Sequence, residues 1–201
     1  MKYLALGGVA GPIVFAIAVI VCAGLREGYS HSTEFISHLG ATGTDHAGLF
    51  NLIGFGLGGI LITLFAVSLF GLLPRGFTTR AGSMLILLFG LGMILVGIYS
   101  CEPGCQNQGS VEGTIHDNIS VLMFNGVILG IALQGLAMRR RGGWQQFRIY
   151  TFATVIALVA LLIVMIHSVG TSELTGLWQR LFLFTLFAWI AAMGWRLAKS
   201  T

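Results

Sequence analysis

Charged residues are scarce in this chain of 201 residues: they make up 9% of it, whereas 56% of the residues are hydrophobic. The mean hydropathy is +0.89. Since a soluble domain carries about a quarter charged residues, this composition excludes an ordinary soluble protein. The sequence also lacks a P-loop, a dinucleotide-binding glycine fingerprint, a nucleophile elbow and a His-Glu-x-x-His motif. The enzyme classes that these motifs identify are therefore not indicated.

The chain contains long runs of apolar residues. A membrane-spanning helix needs about 20 mostly apolar residues in succession. The chain has six runs of this length, and the first is too long for a typical cleaved signal. We therefore predict an all-α, polytopic membrane protein, a single integral domain over residues 1–201, with a six-helix transmembrane bundle and a short outer surface helix. The predicted spans are 4–25, 48–73, 81–100, 119–138, 149–167 and 177–197.

The basic residues are distributed unevenly between the two ends of this bundle. All of them except Arg26 and Arg180 fall on the side that holds both termini. The positive-inside rule places that side in the cytoplasm of a prokaryotic inner or plasma membrane. We interpret the basic run at 139–143 as an orientation clamp against anionic lipid, and we expect no nucleic-acid partner.

A labelling experiment tests this orientation. A cysteine reagent that cannot cross the membrane should label a cysteine at Thr42 from outside and a cysteine at Gly142 only from the cytoplasm, because the positive-inside rule places the basic turn in the cytoplasm. Labelling of Thr42 only from the cytoplasm would contradict the predicted topology.

Acids and histidines fall on the predicted outer side, where the segment 29–46 reads YSHSTEFISHLGATGTDH. Glu34 and His38 are four residues apart, as on one face of a helix. We therefore predict a surface helix from about 32 to 39 that ends at Gly40, with Asp45 capping the second span. This segment should form a lid over a polar outer cavity lined by His38, His116, Asp117, His167 and Arg180.

Three histidines suggest a metal site at this end. If His38, His116 and His167 converge, they could bind zinc and leave a position open for water. Asp117 or Glu34 could then act as the general base of a metal-assisted hydrolase or transferase. A capping box that begins at Thr114 would instead make Asp117 a helix cap.

Arg180 lies on the acid-rich outer side, whereas most basic residues lie on the cytoplasmic side. We therefore expect it to pair with a carboxylate. The alternative is an anion clamp, with Gln179 beside it as a donor and Asn51 as a further ligand-binding residue. Cys101 and Cys105 stand in CEPGC on the predicted outer side. An oxidising compartment favours a disulfide between them, although two thiolates could also bind metal.

Several short motifs resemble the family of six-helix prokaryotic membrane proteins known as domain of unknown function 998. They are ISHLGATG after the first span, Asn51 with GFGLGG, a Pro-containing turn, His116, and GLWQRLF at the start of the sixth span. CEPGC departs from the simpler turn expected there. The resemblance implies the architecture and no particular activity.

The chain is also distantly similar to membrane hydrolases such as alkaline ceramidases and adiponectin-receptor-like proteins. The resemblance implies zinc held by histidines near one membrane face, aided by a serine and an aspartate. Ser37 and Asp117 would fill these two roles, beside His38, His116 and His167. The paired His-x-x-x-His of that superfamily's last helix is missing here, and the helices are fewer.

Two hypotheses for function follow. The first is a hydrolase or transferase that acts on a lipid or small molecule at the outer leaflet. The second is a non-catalytic module that binds an anionic headgroup, a solute or a partner protein through Arg180 and the surface helix. Stoichiometric zinc would favour the first.

Overall fold

The computed structural model describes residues 1–105, 109–138, 143–171 and 173–199, and the basic run at 139–143 lies almost wholly outside them. All regular structure in these ranges is helical. Six helices are long and apolar enough to cross a membrane, which confirms the predicted fold class. We number them α1 (Lys2–Leu25), α2 (Ala47–Leu72), α3 (Phe77–Ile98), α4 (Val111–Ala137), α5 (Gln145–Thr171) and α6 (Thr175–Lys199). The end that carries residues 29–46 is called the outer end below.

The start of α4 differs most from the sequence prediction, because the helix begins at Val111 and not near 119. The Ser110 hydroxyl caps it by accepting a hydrogen bond from the Gly113 amide at 3.0 Å. The first turns of α4 carry polar residues, and their low hydropathy concealed the helix from a search for apolar runs.

Small residues let the helices approach closely. A Cβ atom added to Gly59 of α2 would lie 2.7 Å from the carbonyl oxygen of Gly90 in α3. One added to Gly82 of α3 would lie 2.8 Å from the carbonyl oxygen of Gly130 in α4. Such contacts allow backbone-to-backbone packing in membranes, and they place α3 between α2 and α4.

A π-helical stretch, Asn51–Leu57, interrupts α2 near the outer end. The side chain of Asn51 donates hydrogen bonds to the Gly40 carbonyl oxygen at 3.0 Å and to the Ser100 hydroxyl at 2.9 Å. The prediction that Asp45 caps this helix is wrong. The cap position is His46, in the left-handed region with φ of 60°, and no side chain caps the helix.

The helix α5 is the most exposed of the six. Only 22% of its most apolar stretch is buried inside the bundle, against 44–50% for the other five. In a membrane, most of α5 therefore faces lipid.

Candidate functional site: a cavity beneath the outer segment

The segment 29–46, called the outer segment below, is docked on the start of α6. The Ile36 amide donates to the Gln179 side-chain oxygen at 2.6 Å. The Leu177 amide donates to the Ser32 carbonyl oxygen at 2.9 Å. Ile36 and Leu39 are buried in the bundle. The segment is therefore a folded cover over the outer end and not a solvated loop.

The predicted surface helix from 32 to 39 is wrong in its extent. Only a 3₁₀ turn, Ile36–Gly40, forms, and Phe35 before it is extended with ψ of 150°. The physical reason is that side chains take backbone carbonyl oxygens that a longer helix would use. The Phe35 carbonyl oxygen accepts from the Tyr29 hydroxyl at 3.0 Å, and the Glu34 carbonyl oxygen accepts from Arg180 at 3.0 Å.

Arg180 fastens this cover to α6. One guanidinium nitrogen donates to the carbonyl oxygens of Glu34 and of Gly176, the latter at 2.8 Å, and another donates to the Tyr29 hydroxyl. In the described ranges Arg180 forms no ion pair, so the expected carboxylate partner is replaced by carbonyl and phenol oxygens. Arg180 is thus occupied in holding the segment.

The pKa of Tyr29 is raised above the ordinary tyrosine value by burial, and the neighbouring Arg180 only partly offsets this. The phenol therefore keeps its proton at neutral pH. It can then donate to the Phe35 carbonyl oxygen while it accepts from Arg180.

Glu34 and His38 form a dyad within the outer segment. The His38 Nδ1 atom lies 3.1 Å from a carboxylate oxygen of Glu34, and Arg26 lies 3.8 Å from the same oxygen. The His38 side chain is only 13% exposed. Its Nε2 atom is buried and has no hydrogen-bond partner among the described residues. If Nδ1 carries the proton to the carboxylate, Nε2 presents an unused lone pair.

His116 and Asp117 approach from α4. His116 is 5% exposed, and its Nδ1 atom lies 2.9 Å from the Tyr99 carbonyl oxygen. Because a carbonyl only accepts, Nδ1 donates and Nε2 of the neutral ring is an acceptor. Asp117 is half-buried and makes no hydrogen bond or ion pair within the described ranges. It lies in the second turn of α4, so the capping alternative is wrong.

A cavity of about 800 Å³ lies beneath the outer segment. Its outer part carries polar groups from three elements, whereas its deep part is aromatic and aliphatic. From Thr175 to Phe187 it follows 12 residues of α6, about 18 Å at 1.5 Å per residue. The polar lining includes Ser37, His38, His116, Asp117 and Gln179, and the deep lining includes Phe89, Met93, Phe124, Leu183 and Phe187.

One side of the cavity meets the exposed surface of the bundle. Val121 of α4 and Ile166 of α5 line the cavity, yet they are 62% and 61% exposed. Val169 of α5 is also exposed and also lines it. In a membrane these exposed apolar side chains face lipid, so the cavity opens sideways between α4 and α5.

The cavity brings together some of the predicted site residues and leaves others out. Ser37, His38, His116, Asp117 and Gln179 line it. The side chains of Glu34, Asn51 and Arg180 are not part of the lining and instead support the outer segment.

His167 is exposed and does not line the cavity. No group of three or more His, Cys, Asp or Glu side chains that could hold a metal is found in the described part of the chain. The three-histidine arrangement that we expected is therefore not seen. Zinc stays a prediction that metal analysis of the purified protein would test.

Sequence reasoning missed several lining residues. Ser120 and Phe124 were missed, although they follow the predicted His116 at intervals of four, so all three lie on one face of α4 and line the cavity. This spacing was a usable signal. Met93 and Leu183 carried none, because an apolar residue that lines a cavity looks like any other apolar residue of a span.

The loop after α3 completes the cover. Cys101 and Cys105 have Cα atoms 5.0 Å apart and sulfur atoms at bonding distance. The Cys105 sulfur lies 3.4 Å from the Ser37 hydroxyl oxygen, and the Thr42 amide donates to the Cys101 carbonyl oxygen at 3.0 Å. This arrangement supports the disulfide interpretation over the thiolate one and joins the loop to the outer segment.

Non-reducing mass spectrometry should find the peptides of Cys101 and Cys105 joined, because their sulfur atoms are at bonding distance and the predicted compartment is oxidising. Free thiols in protein prepared without reductant would contradict the pairing. Cys22 is buried in α1 and serves as an internal control, since it should remain a free thiol.

Six spanning helices around a covered polar cavity define a multi-pass helical membrane protein. The chain belongs to the family described as "Protein of unknown function (DUF998)", whose characteristic pattern matches residues 9–196. No curated protein and no solved structure matches the chain. The similarity to alkaline ceramidases and adiponectin-receptor-like hydrolases thus finds no support in the comparisons.

Proposed function

We propose that this protein binds an amphiphile that enters sideways from the outer leaflet of the membrane. One observation carries the proposal: the cavity is polar at its outer end, apolar at depth, and bordered by exposed apolar residues of α4 and α5. Its volume of about 800 Å³ falls within the usual range of ligand pockets. The aromatic and aliphatic side chains of its deep part suit an alkyl chain better than a water-soluble solute.

The polar end supplies hydrogen-bonding groups for a head. The buried Nε2 atom of His38 lacks a partner among the described residues, and His116 lines the same end of the cavity. A buried polar atom without a partner costs about 1–3 kcal/mol, so a hydroxyl or amine that donates to it is favoured. Arg180 is occupied by the outer segment, and the proposal therefore does not use it as an anion clamp.

Acid–base catalysis is a second candidate function, and the Glu34–His38 dyad favours it. A carboxylate orients the imidazole from one side and leaves Nε2 buried and unpartnered on the other. This is the arrangement of a general base that takes a proton from water or from a hydroxyl. The activated oxygen would attack the acyl carbon of an ester or amide of the bound amphiphile, the C–O or C–N bond would break, and His38 would return its proton to the leaving alcohol or amine. A metal-assisted mechanism would need bound zinc, which metal analysis of the purified protein tests.

Native mass spectrometry with monolauroylglycerol, a neutral ester of one alkyl chain, tests both candidates. We expect one molecule to bind each chain saturably. Removing one hydrogen-bonding ring in His38→Ala or His116→Ala should weaken binding by about tenfold, the equivalent of 1.4 kcal/mol. The matched control is His167→Ala, which should change nothing because His167 lies outside the cavity.

The outcomes separate the two candidates. Absence of saturable binding, or equal weakening by His167→Ala, would contradict the binding site. Release of laurate that is lost in Glu34→Gln would support the enzyme. If the ester binds but stays intact, the enzyme candidate is wrong and the binding function stands.

A further inference from the structure

We infer that the cavity prefers an amphiphile with a cationic amine head over one with an anionic phosphate head. The inference rests on the proposed function and adds the chemical class of the head. Among the described lining residues, Asp117 is the only side chain that carries a permanent charge, and no lysine or arginine lines the cavity. The charged side chain that the described lining offers to a head group is therefore a carboxylate.

The two arginines nearest to the outer segment are already engaged. Arg26 lies against the Glu34 carboxylate at 3.8 Å and donates to the His38 carbonyl oxygen. Arg180 donates to two backbone carbonyl oxygens and to Tyr29. Neither guanidinium group lines the cavity, so a phosphate head that stays within the described lining meets no cationic side chain.

Asp117 has no partner of its own within the described ranges, although it is half-buried at the outer end of the cavity. A carboxylate in such a place is stabilised by a nearby positive charge more than it would be in water, because the local dielectric constant is lower. A ligand ammonium would supply that charge.

The hydrogen-bond acceptors at the polar end also favour an ammonium head. An ammonium group has three donors and no acceptor. Asp117 offers carboxylate oxygens, and neutral His38 and His116 each offer an Nε2 lone pair. A phosphate head is negatively charged like Asp117, so the two would repel each other at this end of the cavity.

Competition among three heads on comparable alkyl chains tests the preference. Dodecylamine and monododecyl phosphate compete against bound monolauroylglycerol at neutral pH, and binding is read by native mass spectrometry. We expect dodecylamine to displace the neutral probe at least about tenfold more effectively than the phosphate. Because the ranking is measured on the unaltered protein, it does not depend on whether a variant folds.

Asp117→Asn then assigns the preference to one side chain. It should remove the advantage of the amine, so that amine and phosphate displace the neutral ester from this variant at concentrations within about twofold of each other. The control is Asp45→Asn, an exposed acid of the outer segment that does not line the cavity, and it should leave the advantage of the amine unchanged.

Each result decides something. If the neutral ester binds but amine and phosphate compete equally, or if the phosphate competes better, the preference is wrong and the proposed function stands. If Asp117→Asn weakens all three probes alike, Asp117 supports the fold and does not select the head, so the inference fails. If no probe binds, the proposed function fails and the preference fails with it.

Discussion

Gly176→Ala should detach the outer segment from the bundle. A Cβ atom at this position would lie 2.3 Å from the Glu34 carbonyl oxygen and 2.8 Å from the His31 carbonyl oxygen. It would also lie 2.8 Å from the Arg180 guanidinium nitrogen that holds the segment. Since two of these three neighbours are backbone atoms that cannot turn away, the segment itself must move.

The expected effect is large because one methyl group breaks several contacts together. Overpacking of this kind costs about 1–3 kcal/mol. Hydrogen exchange of the amides of residues 29–40 should therefore become faster by at least about tenfold, while the deep amides of α3 stay protected.

Gly48→Ala is the matched control. Gly48 is also a helical glycine at the outer end, in α2, but a Cβ atom there meets nothing within 4 Å. Alanine should be neutral or slightly stabilising at this position. If Gly176→Ala leaves exchange in 29–40 unchanged, or if Gly48→Ala accelerates it equally, the close docking of the segment is contradicted.

Ser120→Trp should abolish amphiphile binding. Ser120 is a small, half-buried residue on the cavity face of α4, between His116 and Phe124. An indole there would fill the space between the polar head site and the apolar depth. We expect the affinity for monolauroylglycerol to fall by at least about a hundredfold, because the bound chain and the indole would occupy the same volume.

Leu122→Trp provides the comparison. Leu122 belongs to the same helix but is 72% exposed, and it does not line the cavity. An indole on this lipid-facing surface should leave binding unchanged. Equal binding by Ser120→Trp and the unaltered protein would show that the amphiphile lies elsewhere.

The spans could be predicted from the sequence because the bilayer imposes one requirement on length and apolarity everywhere. Five of the six were placed closely by their apolar runs. The start of α4 was missed because His116 and Asp117 form part of a cavity wall, and the same polarity that makes them candidates for function hides them from a hydropathy search.

The site could be predicted only in part. The spacing of Glu34 and His38 predicted their pairing, which is present at 3.1 Å, although the intervening helix is not. Nothing in the sequence showed that Gln179 and Arg180 would bind the backbone of residues 34–36, because those partners lie more than 140 residues apart along the chain. The sequence correctly placed His167 at the outer end of the bundle, like the other histidines. It could not show which face of α5 turns toward the cavity, and His167 lies on another face.

The most direct test of the central claim is photolabelling of the protein in lipid bilayers. A monoacylglycerol with a photoreactive group near the end of its chain should label the buried lining residues at the depth of Met93 and Leu183, and excess unlabelled monolauroylglycerol should prevent this. Ile13 and Ile17, which are exposed on α1 and lie outside the cavity, should be labelled weakly and without competition. If labelling is confined to such exposed faces and the competitor has no effect, the cavity does not hold an amphiphile.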